Sequence, residues 1–465
     1  MTHSKSISWT IAAASFGFTI VQLDVTIVNV ALPQLSAALS SGVAGLQWVV
    51  DAYTLAFAVF LLSAGVLGDR LGARRAYLLG LVIFALTSLM CGAAQTITQL
   101  IVARAMQGMG AALLVPSSLS LINHACGHDN KLRAHAIGLW TAAGGVSIAA
   151  GPIVGGFLLE GLGWRSIFLV NLPVCVIGII MCLRIGETAR KLQHRFDWSG
   201  QLFAMLALIG LTGAVIESGS LGWRHPLILS GLVLALLSGG MFARSQAKAT
   251  QPILPLRFFR LPNFSAAIVF GIAVNLAYYG IIFVLSLYLQ HIKQYSATET
   301  GLAYLPLTAT FIVSNLMSGW TMGRYGVRVP MVSGAAIATL GYALLIPLNA
   351  HSAYLAMLLP FVLIPGGMGL AVPAMTATIL SSVEKSWSGT ASAVLNAARQ
   401  AGGTIGVAAF GGFVAGTHDH IVPGLQLAAT LSSAVLLMAC LIVWFGIREI
   451  DDQVSADFHS EKRTI

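Results

Sequence analysis

Leu23-Asp24-Val25-Thr26-Ile27-Val28-Asn29-Val30-Ala31-Leu32-Pro33 closes an apolar run that begins at Ile7. The run is long enough to cross about 30 Å of hydrocarbon as a helix, and it holds a carboxylate in its middle. On insertion scales an ionisable group at that depth costs about 2.5–3.5 kcal/mol, so its presence marks a function. Asp24 is therefore the first candidate site, as a group that binds and releases protons. A cleaved leader is not expected, because the run far exceeds an h-region of about 7–15 residues.

Composition extends this reading to the whole chain. Of 465 residues, 57% are hydrophobic and 9% charged, against about 25% charged in soluble domains. Fourteen apolar windows, from 9–32 to 424–447, are each long enough to span a bilayer. In lipid their backbone polar groups must be satisfied within the segment, so they are expected to be helices.

The formal charge of +9 raises nucleic acid as a partner, but the basic residues lie in short loops and form no single patch. With the amino terminus inside, 20 of the 25 Lys and Arg fall in cytoplasmic segments, as the positive-inside rule requires. Both termini are then cytoplasmic. The five cysteines lack CxxC or CxxH spacing, so neither a metal nor a disulfide is expected. The histidines sit in loops, tails or near helix ends, which argues against a histidine relay.

A short repeat organises the windows. Gly65-Val66-Leu67-Gly68-Asp69-Arg70-Leu71-Gly72-Ala73-Arg74 follows the second window, and Gly319-Trp320-Thr321-Met322-Gly323-Arg324-Tyr325-Gly326-Val327-Arg328 follows the tenth. Aligning Gly72 with Gly326 and Arg74 with Arg328 gives an offset of 254 residues. The expectation is an all-α membrane protein of 14 transmembrane helices. Residues 1–190 form a six-helix bundle, 191–260 hold two inserted helices, and 261–465 form a second six-helix bundle. A site between two such halves is a transporter plan.

Several motifs together carry a family resemblance. They are LDVTIVNVALP from Leu23, GVLGDRLGARR from Gly65, and Arg104-Ala105-Met106-Gln107-Gly108-Met109-Gly110-Ala111-Ala112. Gly151-Pro152-Ile153-Val154-Gly155-Gly156, Trp164-Arg165 through Asn171-Leu172-Pro173, Phe196-Asp197-Trp198-Ser199-Gly200, and Gly389 through Arg399-Gln400 complete the set. The chain resembles the major facilitator superfamily, in particular its fourteen-span drug:proton antiporters. That resemblance implies proton-coupled efflux of amphipathic drugs or toxic small molecules across the bacterial cytoplasmic membrane by alternating access. A dedicated exporter of one metabolite, antibiotic product or siderophore is the alternative. No enzymatic activity, catalytic residue, metal or cofactor is expected, and nucleic acid is not a partner. The partners are a small-molecule substrate, protons and the lipid bilayer, with the chain a monomer.

The residues assign provisional roles. Asp24 lies about nine residues, or roughly 13 Å, from the outer end of its window. Arg104 lies at similar depth, and a guanidinium in hydrocarbon needs a partner; the resemblance implies that it tunes the proton site. Gln22, Thr26, Asn29 and Pro33 recur at i, i+4, i+7 and i+11, about 200° from Asp24 around the helix. The expectation is that this stripe makes interhelical hydrogen bonds while Asp24 faces water, with the reverse arrangement as the alternative. Asp51 is expected at the cavity mouth as an attractor for cations. Trp48, Tyr53, Asn275, Tyr278, Asn396 and Arg399 are expected to line the cavity. Gating is assigned to Gly65, Asp69, Arg70, Gly72 and Arg74, a loop that latches the halves in the family, and to the helix break and close packing at Gly151, Pro152 and Gly155.

Overall fold

The computed structural model describes residues 2–127, 130–187, 197–249, 252, 254–384, 387–415 and 418–447. An amino-terminal set contains α1 (Thr2–Leu39), α2 (Val43–Leu71), α3 (Ala73–Ala93), α4 (Ile97–Cys126), α5 (Asn130–Leu162), the short α6 (Ser166–Leu169) and α7 (Asn171–Leu183). Next come α8 (Trp198–Leu221) and α9 (Pro226–Lys248). A carboxy-terminal set contains α10 (Pro262–Leu287), the short α11 (Ala297–Ala303), α12 (Leu305–Tyr325), α13 (Arg328–Ala343), α14 (Tyr354–Ser381), α15 (Ser388–Phe413) and α16 (Ile421–Gly446). The described residues contain no strand.

Among the described residues, eleven spans are long and apolar enough to cross a membrane, or twelve when the two arms of α5 count as one. The fourteen windows of the sequence exceed this number at two places. α13 has only 16 helical residues, and α15 carries Asn396, Arg399, Gln400 and Thr404 through its middle. Both still pack as helices within the bundle. Large apolar side chains on the outside, such as Leu236 at 78% exposure and Phe445 at 77%, suit contact with lipid chains rather than water.

Helix pairings recur between the two sets. α1 packs on α5, α2 on α4, α3 on α4 and α7; correspondingly α10 packs on α15, α12 on α14, α13 on α14 and α16. Two glycine pairs show why the sequence repeats. Gly72 and Gly326 take φ of 86° and 73°, a region open to glycine at no steric cost. At Gly80 a Cβ would sit 3.2 Å from the Gly110 carbonyl, and at Gly334 it would strike the Gly367 carbonyl. The small residues at these positions let the backbones approach.

Basic residues after these turns cap the last helix of their own set. Arg74 donates from Nε and Nη2 to the Cys182 and Leu183 carbonyls at 3.3 and 2.9 Å. Arg328 donates to the Trp444 carbonyl. Each satisfies carbonyls at a helix C-terminus and complements its dipole. In the same loop, the hydrogen bond from Arg75 holds the Glu187 carboxyl below the usual carboxylate range. The Asp69 side chain lies outside the described residues.

α5 bends by 40° between Ala136–Ile148 and Ala150–Leu162. Pro152 has no N–H to give to the Ile148 carbonyl, so the ladder breaks there. Gly151 and Gly155 face α1, where a Cβ at Gly155 would lie 2.9 Å from Ile27 Cγ1. Contacts between the two sets gather at the end that carries the α1–α2 turn. Gln290 Nε2 donates to the Val30 carbonyl at 3.0 Å, and the Thr298 N–H donates to Glu160 at 3.2 Å. A Cβ on Gly156 would lie 2.7 Å from Thr298 Cα, and one on Gly301 would strike the Pro152 carbonyl.

Of the inserted helices, α8 packs on both α2 and α15, and α9 packs on α8. Its polar ties go to α2: Gln201 Nε2 donates to the Val59 carbonyl at 3.0 Å, and Ser63 bonds Gln201. Trp48 Nε1 donates to Glu217 at 3.0 Å. Against α15 the contact is small and apolar, with Gly219 on Gly412 and Ala415.

Candidate functional site

Asp24 and Arg104 form an ion pair whose side chains are 0% and 1% exposed. The pair is enclosed by five elements of the amino-terminal set. From α4, Gln107 donates to Asp24 Oδ1 at 3.0 Å; from α7, Asn171 donates to the same oxygen at 2.9 Å. Ser88 of α3 accepts from both amides, at 2.8 and 3.3 Å. Arg104 donates from Nε to the Val49 carbonyl at 3.2 Å and from Nη1 to Gln107 Oε1 at 2.7 Å. Its guanidinium also lies 4.3 Å from the centre of the Tyr53 ring on α2.

This arrangement meets the conditions under which a buried charge pair survives, namely close partners and hydrogen bonds to the remaining lone pairs. Gln107 and Asn171 were visible in the sequence only as members of motifs. Gln107 stands three residues from Arg104 and so on the same helix face, a signal that was available. Asn171 reaches Asp24 from 147 residues away, which no local spacing reveals.

The faces of α1 are reversed from the sequence expectation. Thr26 bonds the Gln22 and Leu23 carbonyls, and Asn29 bonds the Val25 carbonyl at 3.2 Å, all within α1 itself. The stripe is therefore not interhelical hydrogen-bonding glue. Thr26 and Asn29 line a cavity between the two sets together with Ile148, Pro152, Tyr278, Tyr279, Ile282, Tyr304, Leu307 and Thr308. Asp24, on the opposite face, points into the amino-terminal bundle and not toward water. The physical reason is that side chains which bond their own backbone can face a cavity cheaply, whereas a carboxylate needs donors that only neighbouring helices supply. The cavity has about 20 Å³ open to water, room for about one molecule.

The other sequence candidates divide. Tyr278 lines the cavity. Tyr53 does not; it is fully buried under Arg104. Trp48 is turned to α8 through Glu217. Asn275 and Asn396 bond carbonyls of their own helices, Gly271 and Ser392, at 2.8 and 3.0 Å. Arg399 is not among the cavity-lining side chains; its stem lies 3.4 Å from where a Cβ on Gly271 would sit. Asp51 is 0% exposed, so it is not a solvated group at a cavity mouth; α2 packs it against α15.

Comparison with known proteins bears on this geometry. A family model described as Major Facilitator Superfamily matches residues 14–407. The chain is 36% identical over 448 residues to the methylenomycin A resistance protein of Bacillus subtilis, covering 95% of each chain. It is 36% identical to the multidrug resistance protein Stp of Mycobacterium tuberculosis, over 87% of this chain and 75% of that one. Among solved structures, the nucleoside transporter NupG superposes with a TM-score of 0.64 at 13% identity, over 95% of this chain and 100% of that one. That last likeness concerns the fold alone. With a family model spanning most of the sequence and relatives this similar along their length, the chain belongs to the major facilitator superfamily.

Proposed function

We propose that the chain is a proton-coupled exporter of amphipathic drugs or toxic small molecules that works by alternating access. The observation that carries this reading is the placement of one buried, paired carboxylate two residues from a cavity-lining threonine on the same helix. Protonation of Asp24 dissolves its ion pair with Arg104, and α1 transmits that change to Thr26 and Asn29 at the cavity. Resistance relatives named for methylenomycin A and for multiple drugs support export as the direction.

In this reading fourteen helices cross the bacterial cytoplasmic membrane, with α13 and α15 as spans and α6–α7 and α11–α12 as one span each. Both termini are cytoplasmic, and the chain acts as a monomer. Residues 1–190 and 261–465 are the two rocking bundles and 191–260 the insert. The α1–α2 end is the outer end, so the outer side is closed here. The loop of Gly65, Asp69, Arg70, Gly72 and Arg74 and the bend at Gly151, Pro152 and Gly155 serve as gating elements.

The test is transport in proteoliposomes with pH, sodium and voltage gradients imposed separately. An inward proton gradient is expected to drive efflux of an amphipathic drug; drive by sodium alone sinks the proton assignment. A dedicated exporter is the second reading, favoured by relatives named as the tetracenomycin C resistance and export protein and the cephamycin export protein CmcT. A susceptibility profile confined to one compound class decides for it.

The glycine contacts at the outer end yield a further prediction. Gly301→Ala and Gly156→Ala place a methyl against backbone of the opposite set, which cannot move aside as a flexible side chain does. Both are expected to hold the outer end ajar. A cysteine placed by Thr308→Cys in the cavity then reacts several-fold faster with a membrane-impermeant thiol reagent from outside. The five native cysteines are buried, so the engineered thiol supplies the signal. Unchanged labelling rates in both variants count against this gate.

A further inference from the structure

Asp51 is a buried acid that the Asp24 cluster does not use. Both oxygens of its carboxyl are buried without a hydrogen-bond partner among the described residues, and the residue is 0% exposed. It lies on the face of α2 that also carries Gln47 and Thr54, at i−4 and i+3. Gln47 Nε2 donates to the Val407 and Ala408 carbonyls of α15 at 3.1 and 2.7 Å. Thr54 and Thr404 hydroxyls share a hydrogen bond of 2.9 Å. The carboxyl is thus sealed between the amino-terminal and carboxy-terminal sets, in the outer seam that alternating access has to open.

Among the described residues no counter-charge reaches it: Arg399, further along α15, lies with its stem beside Gly271 of α10. Along the facing stretch α15 presents Thr404, Val407 and Ala408, with no ionisable group. On α8, Glu217 is engaged by Trp48. On α4, Arg104 is engaged by Asp24, Gln107 and Val49. On α3, Cys91 bonds Gln107 at 3.6 Å, and on α1 Asp24 is paired. An ionised carboxylate cannot stay in such a place, because its desolvation is not repaid by any partner. A neutral one can, and opening the seam to water removes the constraint.

We propose that Asp51 is a second proton-binding site, separate from Asp24, which takes a proton from the outer solution when the seam closes and returns it when the seam opens. External acid then favours the outer-closed state, and the outer gate reads external pH directly. The proposal rests on the alternating-access reading and on the orientation given above, but not on Asp24 being the coupling site.

The test is a distance measurement across the outer end with spin labels at Ala38→Cys and Ala350→Cys, both at exposed positions, in lipid nanodiscs. A closure that binds one proton changes the open-to-closed ratio by about tenfold per pH unit. Asp51→Asn is expected to remove that tenfold dependence and hold the seam closed. Asp51→Leu, which fills the seam with an apolar group, is expected to do the same and guards against an effect peculiar to the amide. Asp24→Asn should retain the Asp51 share of the response. A pH response in both Asp51 variants equal to that of the wild type, or a wild-type seam indifferent to pH, overturns the proposal. Wild-type protein whose seam responds to pH but which shows no efflux driven by a pH gradient supports this site and removes the proton-coupled reading instead.

Discussion

Asp24→Asn is expected to abolish efflux driven by a pH gradient while leaving the protein able to equilibrate substrate down its own gradient. An exporter that exchanges one proton for each uncharged substrate molecule can sustain about a tenfold substrate ratio per pH unit. The variant carries an amide that cannot take up a proton, so its ratio should fall to unity. The amide is nearly isosteric with the carboxyl and can still accept from Gln107 and Asn171, which donate to Oδ1 at 3.0 and 2.9 Å. The variant also leaves the buried Arg104 guanidinium without its counter-charge, a loss of about 3–5 kcal/mol in stability, so coupling is read as accumulation relative to exchange by the same folded protein. Proteoliposomes report both quantities, accumulation under an imposed pH gradient and exchange without one. Accumulation at the wild-type level would remove Asp24 from the coupling site.

Arg104→Gln should act on stability. It strips the counter-charge from a carboxylate that is 0% exposed, a change that costs about 3–5 kcal/mol when one member of a buried pair is lost. Pairing it with Asp24→Asn removes both charges and leaves amides among the donors and acceptors of Gln107, Asn171 and Ser88. The double variant should recover much of the loss, because replacing a whole buried pair is often near neutral. Thermal unfolding in detergent of the wild type, both single variants and the double variant gives the coupling directly. Additive losses would mean that the two charges do not depend on each other.

The residues themselves show how far the sequence could be read. Its apolar windows, the charge bias of the loops and the repeat at Gly72 and Gly326 all follow from local chemistry. A membrane helix needs apolar length, and a tight turn with positive φ needs glycine, wherever the segment sits in the fold. The same holds for the identity of the special residues, since Asp24 and Arg104 stand out as charges in hydrocarbon whatever surrounds them. The two-faced nature of α1 was also legible, because the helical period alone separates Asp24 from Thr26 and Asn29.

What each face meets was not legible. The period says that two faces differ, but only the placement of α3, α4 and α7 decides that Asp24 is the buried one. Thr26 and Asn29 look toward Tyr278 and Tyr279 because α10 lies there, and nothing within α1 encodes that. Asp51 reads in sequence as an acid five residues from a helix start, hence near water; α15 closes over it and makes it a dry, unpaired carboxyl. Trp48 reads as a cavity aromatic until α8 supplies Glu217. In each case the deciding partner comes from a distant segment, 147 residues away for Asn171 and 169 for Glu217. The sequence by itself determined a helical membrane protein with charges in its interior, because the bilayer acts on each segment alone. Which charges are paired, which are stranded and which faces meet the cavity were decided by tertiary structure, because the energy of a buried polar group depends on the partners that other helices bring to it.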